Sequence, residues 1–189
     1  MFIYKKLNIV NYMLNSVRLT LNSSRSEIMK IFTDPFRLCG VISHFVILQA
    51  YDNNLGRFVS PSQALKDKIP NLYKVLYVFG TPDTGIKTLI GTLKGPEIIT
   101  GGVQYKGKDD ENTFELNMQI MSQEMTNKTV VTITTNLVYN PSMKHKLFGK
   151  EIKELKNQFN FPEHIVKEHI VPYLNLTYKL EEVVYLLSE

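Results

Sequence analysis

The feature that most constrains this chain is an alternation of apolar and polar residues that recurs in consecutive segments. It runs from Val17 to Leu21, from Tyr73 to Phe79, from Phe114 to Ile120 and from Val131 to Tyr139. A period of two indicates strands that bury one face and expose the other. Strands of a parallel sheet are buried on both faces, so this one-sided pattern predicts a large antiparallel sheet.

Two short helices are predicted directly after the first strand. Ser23 or Ser24 is suited to cap a helix that runs to about Thr33, and Glu27 would be the third residue of a capping box with Ser24. Asp34-Pro35 begins a second helical turn, which ends at Cys39-Gly40, because proline favours the first helical position. A strand from Val41 to Tyr51 is expected next.

The period changes again after the last predicted strand. Apolar residues recur at helical spacing across residues 143–159, and Asn160-Phe161-Pro162 restarts a helix. Pro172 must kink or end this helix, since proline removes a backbone donor. Leu180, Val184 and Leu187 could continue the apolar stripe beyond it.

This element order resembles the START-like or birch-pollen-allergen superfamily (SRPBCC), also called the helix-grip or polyketide cyclase/lipid transport group. The segment from Ser24 to Phe36, Ser-x-x-Glu-Ile-Met-Lys-Ile-Phe-Thr-Asp-Pro-Phe, is similar to its loose helix motif. The resemblance covers about residues 16–176. It implies an α+β helix-grip fold, in which a curved antiparallel sheet wraps around a C-terminal helix, with two short helices after the first strand.

The chain of 189 residues is expected to form one domain. Residues 16–189 would be the START-like ligand-binding domain, and residues 1–15 an N-terminal extension. That extension is rich in apolar residues, which predicts that it packs against a surface and contributes to a homodimer. The alternative is that Met13 is the true start.

The resemblance implies a space between sheet and helix that encloses a hydrophobic small molecule such as a lipid, isoprenoid or polyketide. Inward strand residues and the apolar stripe of the helix would line it. The predicted lining is Tyr73, Tyr77, Phe79, Phe114, Leu116, Met118, Ile133, Leu137, Ile165, His169 and Tyr173. The alternative interpretation is that these side chains simply pack on one another as a core.

Carriage or sensing of that molecule, without catalysis, is the leading hypothesis for function. The rival is an enzyme of the cyclase or hydratase type, in which His169 or His44, helped by Tyr73 or Tyr173, moves a proton on an enclosed substrate. A protein-interaction module is a third possibility.

Other candidate sites are rejected from the sequence. The segment Gly80 to Thr88 resembles a phosphate-binding loop but has one residue too many before its lysine, so a β-hairpin is predicted. His164 and His169 are five residues apart, which on an α-helix turns them about 140° from each other. No metal site, cofactor or catalytic residue is therefore expected, and Cys39 is interpreted as a packed side chain.

The composition argues against a nucleic-acid partner and against a transmembrane segment. Basic residues exceed acidic ones by four, 22 against 18, and the excess is spread over the first sixty residues, which is too diffuse for a nucleic-acid footprint. No apolar run approaches the length of a transmembrane helix. The single cysteine and the lack of a signal-peptide pattern predict a cytoplasmic protein.

Overall fold

The computed structural model describes residues 11–64, 69–80, 82–83, 85–139 and 160–188. Its strands are β1 (Asn11–Leu21), β2 (Phe45–Asp52), β3 (Arg57–Val59), β4 (Leu72–Phe79), β5 (Lys87–Ile99), β6 (Gly102–Asp109), β7 (Phe114–Met125), β8 (Lys128–Tyr139) and β9 (Leu180–Ser188). Its helices are α1 (Arg25–Thr33), α2 (Pro35–Ile42), α3 (Pro61–Ala64), α4 (Phe161–His164) and α5 (Val171–Thr177), with a π-helical segment (Ile165–Ile170) joining the last two.

The described strands form one antiparallel sheet in the order β3-β2-β4-β5-β6-β7-β8-β1-β9. Strands β4 and β5 pair directly, with Phe79 opposite Lys87, so the predicted hairpin between them is confirmed. Together with the short helices and the C-terminal helix, this sheet is the α+β helix-grip fold that the sequence predicts.

Alternation gives the sheet two distinct faces. On β4 to β8 the residues that alternate inward are buried, and they form one apolar core with the helices. We call this the inner face, and the opposite one the outer face. Helix α4 packs against β1 and β8 and buries Phe161 and Pro162, so the start of the C-terminal helix is part of the core.

Local sequence accounts for the first two helices. Ser24 caps α1 by accepting a hydrogen bond from the backbone N–H of Glu27, as predicted. Asp34 caps α2 by accepting from the N–H groups of Phe36 and Arg37, and Pro35 occupies the first turn. Both helices bury their apolar faces in the core.

Three predicted boundaries are wrong. Strand β1 begins at Asn11, inside the predicted extension, because these residues pair with β8 as far as Tyr139. Helix α2 continues to Ile42, since Gly40 does not interrupt it, and Ser43 ends it in the left-handed conformation with φ of 60°. Residues 180–188 form a strand on the free edge of β1 instead of continuing the helix.

The C-terminal helix spans residues 161–177 and changes character in the middle. Pro172 lies in its second half and lacks the N–H that an α-helix would bond to the Glu168 carbonyl, which favours a local widening. The predicted helix over residues 143–159 lies outside the described residues. None of the described helices has the length and apolarity needed to cross a membrane.

Candidate metal centre

Three histidines from distant parts of the chain meet at the N-terminal half of the C-terminal helix. His44 lies between α2 and β2 and is 8% exposed, whereas His164 and His169 are half-buried. The His44 backbone carbonyl accepts a hydrogen bond from the Val78 N–H at 2.9 Å, which anchors this residue to strand β4. The histidine ring is thereby held at a fixed place on the sheet.

The π-helical segment brings the other two histidines together. Its backbone bonds join residues five apart, as in the bond from the Val171 N–H to the Val166 carbonyl. Residues five apart therefore lie one above the other, whereas in an α-helix they would diverge. His164 and His169 have this spacing, and their Nε2 atoms are 3.2 Å apart.

The three imidazoles converge on one point. The Nε2 atoms of His44 and His164 are 3.0 Å apart, and one ligand atom from each of the three histidines can be chosen so that all lie within 4.8 Å of one another. The ring planes meet nearly edge to face, with His44 at 4.8 Å from His164 and 5.0 Å from His169 between centroids. Three nitrogen ligands at such distances can surround one small cation.

The protonation of His44 follows from its hydrogen bond. Its Nδ1 lies 2.6 Å from the Val78 carbonyl oxygen, which can only accept, so Nδ1 carries the proton and donates it. In the neutral ring the lone pair is then on Nε2, the atom that points at His164. A backbone carbonyl that fixes the tautomer in this way is typical of histidines that bind metal through Nε2.

The surroundings favour neutral imidazoles. Burial lowers the pKa of His164, and the neighbouring rings of His44 and His169 lower it further. Burial and His44 also lower the pKa of His169, opposed by Glu168. Neutral histidine is the form that binds a metal ion, so these two lowered pKa values favour metal binding by His164 and His169 at neutral pH.

The helix around the cluster is fixed by an aromatic contact and an ion pair. The Phe161 ring packs edge-on against His44, with centroids 5.7 Å apart, and against Phe79 at 4.6 Å. Lys167 pairs with Glu163 one turn away, and its ammonium lies 4.7 Å from the centre of the Tyr185 ring. The C-terminal helix is therefore packed against His44 and against strand β4.

The prediction that His164 and His169 lie on different faces of a helix is wrong. It assumed 3.6 residues per turn, and a separation of five then turns the two side chains away from each other. In the π-helical segment residues five apart lie on the same side of the helix, so the two histidines can meet. His44 could not be connected with them from sequence, because it is 120 residues away from His164 and reaches it only through the fold.

The predicted ligand-lining residues are brought together on the inner face, where nine of the eleven are buried. Their rings form a continuous chain, with Tyr77 to Phe114 at 4.9 Å and Phe114 to Phe79 at 5.2 Å between centroids. His169 belongs to the histidine cluster. The nine buried residues are Tyr73, Tyr77, Phe79, Phe114, Leu116, Met118, Ile133, Leu137 and Ile165.

The remaining residue of that set, Tyr173, is 36% exposed on α5. The buried phenols find partners within the protein. Tyr77 donates to the Thr92 carbonyl at 2.6 Å, and Tyr73 donates to the Pro70 carbonyl. Burial raises the pKa of both phenols far above its ordinary value, so they stay protonated.

Cys39 is a packed side chain, as predicted. It is 5% exposed, and burial raises the pKa of its thiol to about 12, with Asp34 adding to the effect. A thiol with such a pKa does not form the nucleophilic thiolate at neutral pH.

No protein-family model matches the sequence, and no curated protein is significantly similar to it. The structure is similar to that of TTHA0849 from Thermus thermophilus, with 8% identity, a TM-score of 0.42 and coverage of 81% of this chain and 97% of that one.

Two further solved structures are similar. An HSP90 activator from Plasmodium falciparum has 13% identity and a TM-score of 0.39, covering 89% of this chain and 99% of its own. Ara h 8.0201 has 9% identity and a TM-score of 0.41, covering 82% and 99%. These similarities concern the fold alone.

Proposed function

We propose that this protein binds a divalent transition-metal ion, with zinc as the best-fitting metal, through the Nε2 atoms of His44, His164 and His169. The observation that supports the proposal is the convergence of three imidazole nitrogens at 3.0 and 3.2 Å. A tetrahedral zinc ion with Zn–N bonds of about 2.0–2.1 Å requires nitrogens about 3.4 Å apart. The His44–His164 and His164–His169 separations are within a few tenths of an ångström of that value, whereas the third pair, which lies within 4.8 Å, requires a larger adjustment of the rings.

The chemistry of the donor set favours zinc. Neutral imidazoles suit zinc, copper, iron and nickel, while oxygen ligands suit magnesium and calcium. Within the described part of the chain the cluster has three ligating side chains, which leaves one tetrahedral position open. Structural zinc sites use four protein ligands, and an open position is typical of sites where the metal activates water or polarises a substrate.

Metal titration of the chelator-treated protein tests this proposal. We expect one zinc ion per chain by calorimetry, and a Co²⁺ derivative with the intense visible absorption of four-coordinate cobalt. Replacing any one of the three ligands by glutamine, as in His164→Gln, should weaken binding more than about 100-fold, since even a partner that only orients a ligand is worth about 10–100-fold. His145→Gln changes the remaining histidine of the sequence and is the matched control. Equal affinity in His164→Gln and His145→Gln would contradict the proposal.

Enclosure of a hydrophobic small molecule is a second candidate, and one observation favours it. Asn15 and Thr135 face each other across β1 and β8 on the inner face, and both are fully buried. Neither amide atom of Asn15 nor the Thr135 hydroxyl has a hydrogen-bond partner among the described residues.

Unpaired buried polar groups cost about 1–3 kcal/mol each, so they usually mark the place of a water or a ligand group. Met118, Ile133 and Leu137, three of the predicted lining residues, neighbour Thr135 in the sheet. An apolar molecule with one polar end would complement this arrangement. Catalysis on such a molecule stays a prediction.

Native mass spectrometry of the purified protein tests the second candidate. We expect a retained apolar molecule in the parent and its loss in Asn15→Leu, with Asn175→Leu, an exposed position on α5, as the control. An empty parent protein, together with an unchanged melting temperature on addition of fatty acids or isoprenoids, would count against carriage.

A homodimer and a protein-interaction role also stay predictions. Residues 1–10 of the predicted extension lie outside the described residues, but strand β2 exposes apolar side chains that such an extension would cover, with Val46 44% and Leu48 42% exposed. Deleting residues 1–10 leaves β1 whole. A dimer that survives this deletion in light scattering would remove the segment from the interface.

A further inference from the structure

The outer face of the sheet contains a groove that the histidine cluster does not explain. It crosses five neighbouring strands, β4 to β8, and encloses about 480 Å³, within the range of ligand sites. At about 4.8 Å between strands, it is about 19 Å across. Its lining is Leu72, Thr92, Lys94, Lys106, Gly107, Lys108, Glu115, Leu116, Asn117, Asn136 and Val138.

The strand register arranges the polar side chains of the groove in two adjacent rows. In the first row Lys94 lies opposite Lys106, which lies opposite Asn117, followed by Asn136 on β8. In the second row Thr92, Lys108 and Glu115 follow one another on the same three strands. The groove therefore has a polar surface built from at least four strands, and strands position side chains more firmly than loops do.

The charges in the groove are unbalanced. Three lysines and one glutamate line it, which gives a net charge of +2. Lys94 and Lys106 are directly opposite each other, and a like-charged pair in this position destabilises a sheet. Lys106 has the Glu97 carboxylate at 3.9 Å, whereas neither Lys94 nor Lys108 has a carboxylate partner within the described ranges. An anion between these lysines would remove the repulsion.

A second observation points to an occupant. The Asn136 side-chain oxygen is buried and has no hydrogen-bond partner in the described part of the protein, although Asn136 lines the groove. An acceptor of this kind is satisfied by a ligand that also donates a hydrogen bond. The lysines and Asn136 together fit a small molecule that has both acidic oxygens and a hydroxyl or amino group.

We propose that this outer groove binds a small multivalent oxyanion, a phosphate- or carboxylate-bearing molecule, with Lys94, Lys106 and Lys108 holding its acidic oxygens. Ammonium-to-oxyanion hydrogen bonds are among the strong ones in proteins. Asn136 contacts a donor group on the same molecule.

The test uses metal-free full-length protein, so that anion binding at the histidine cluster does not contribute. Pyrophosphate and citrate are titrated separately at constant ionic strength, with amide chemical shifts recorded by NMR. We expect saturable shifts confined to residues of β5 to β8 that line the groove. The tighter of the two probes identifies phosphate or carboxylate as the preferred group.

Two double variants, each of which removes two positive charges, distinguish binding of the anion in the groove from its general electrostatic attraction to the protein. Lys94→Gln/Lys106→Gln should weaken binding of the tighter probe by at least about tenfold, as the loss of charge-assisted hydrogen bonds requires. Lys30→Gln/Lys128→Gln removes the same charge from α1 and the tip of β8 and should leave the affinity within about twofold. No saturable binding, shifts at another surface, or equal weakening in both variants would overturn the proposal.

Discussion

The Nε2 atoms of His164 and His169 lie 3.2 Å apart, although five residues separate them in the sequence. The π-helical segment makes this possible, because its backbone bonds also span five residues. Short π-helical stretches are rare and frequent at functional sites. Here the widened turn places two imidazoles beside a third, that of His44 in the turn before β2, which connects a local backbone feature with a candidate metal site.

The proline that follows the π-helical segment is expected to maintain it. Pro172→Ala restores the backbone N–H that an α-helix bonds to Glu168, so the segment should tighten and rotate His169 away from His164. We expect zinc affinity to fall by at least about tenfold while the melting temperature is unchanged or higher, since alanine favours the helix. Calorimetric titration and thermal melts measure both. Unchanged zinc affinity would show that proline has no part in the geometry.

Stability of the metal-free protein should depend on the histidine pair at mildly acidic pH. In the folded chain the pKa of His164 and of His169 is lowered, mainly by burial. The unfolded chain keeps the ordinary value of about 6.5, so it takes up protons first as the pH falls through that value, and folded stability is lost. Above that pH both states are neutral and the pair has no effect.

Urea unfolding at about pH 7.5 and about pH 5.5 measures this loss. The double variant His164→Gln/His169→Gln has no such groups and should lose less stability between the two pH values than the parent. A loss equal to that of the parent would mean that the lowered pKa values do not influence folding.

Phe161 should stabilise the core and the cluster together. It is fully buried and packs against His44, Phe45 and Phe79. Phe161→Ala should lower the free energy of unfolding by about 3–5 kcal/mol, as for other large aromatic truncations in cores. Leu176→Ala, at a position 87% exposed, is the control and should change it by less than about 0.5 kcal/mol. Similar values for the two variants, from urea unfolding, would contradict the packing described.

Two glycines provide a matched test of the sheet. A Cβ on Gly91 would overlap the Lys108 carbonyl oxygen on β6, so Gly91→Ala should push β5 and β6 apart at the groove and destabilise the protein by about 1–3 kcal/mol or more. A Cβ on Gly40 meets nothing within 4 Å, and Gly40→Ala in α2 should stabilise by about 0.5–1 kcal/mol. Urea unfolding of both variants gives the sign of the change in the free energy of unfolding. Equal effects would contradict this strand spacing.

The fold was largely predictable, because its signals are local. Alternation from Phe114 to Ile120 defines a strand face, and the Ser24 cap defines a helix start. Strand β9 was not predictable, since Leu180, Val184 and Leu187 also fit a helical period, and pairing with the free edge of β1 decides between the two. Whether a short apolar segment forms a helix or a strand is often decided only by such tertiary contacts.

The candidate site was not predictable for two separate reasons. The π-helical geometry changes the face on which His169 lies, and sequence periodicity assumes an α-helix. His44 joins the cluster only because α2 and β2 place it next to Val78, a contact across strands that no local pattern encodes. A signal that could have found the pair was Pro172, three residues after His169, as a cause of helix widening.

X-ray absorption at the zinc edge of the loaded protein tests the central claim most directly. We predict a first shell of three imidazole nitrogens at about 2.0–2.1 Å with one further light atom in the open position. In His164→Gln the imidazole contribution should fall and zinc should be lost on dialysis. A shell of oxygens without imidazole scattering, or the same shell in parent and His164→Gln, would contradict the assignment of His44, His164 and His169 as a metal site.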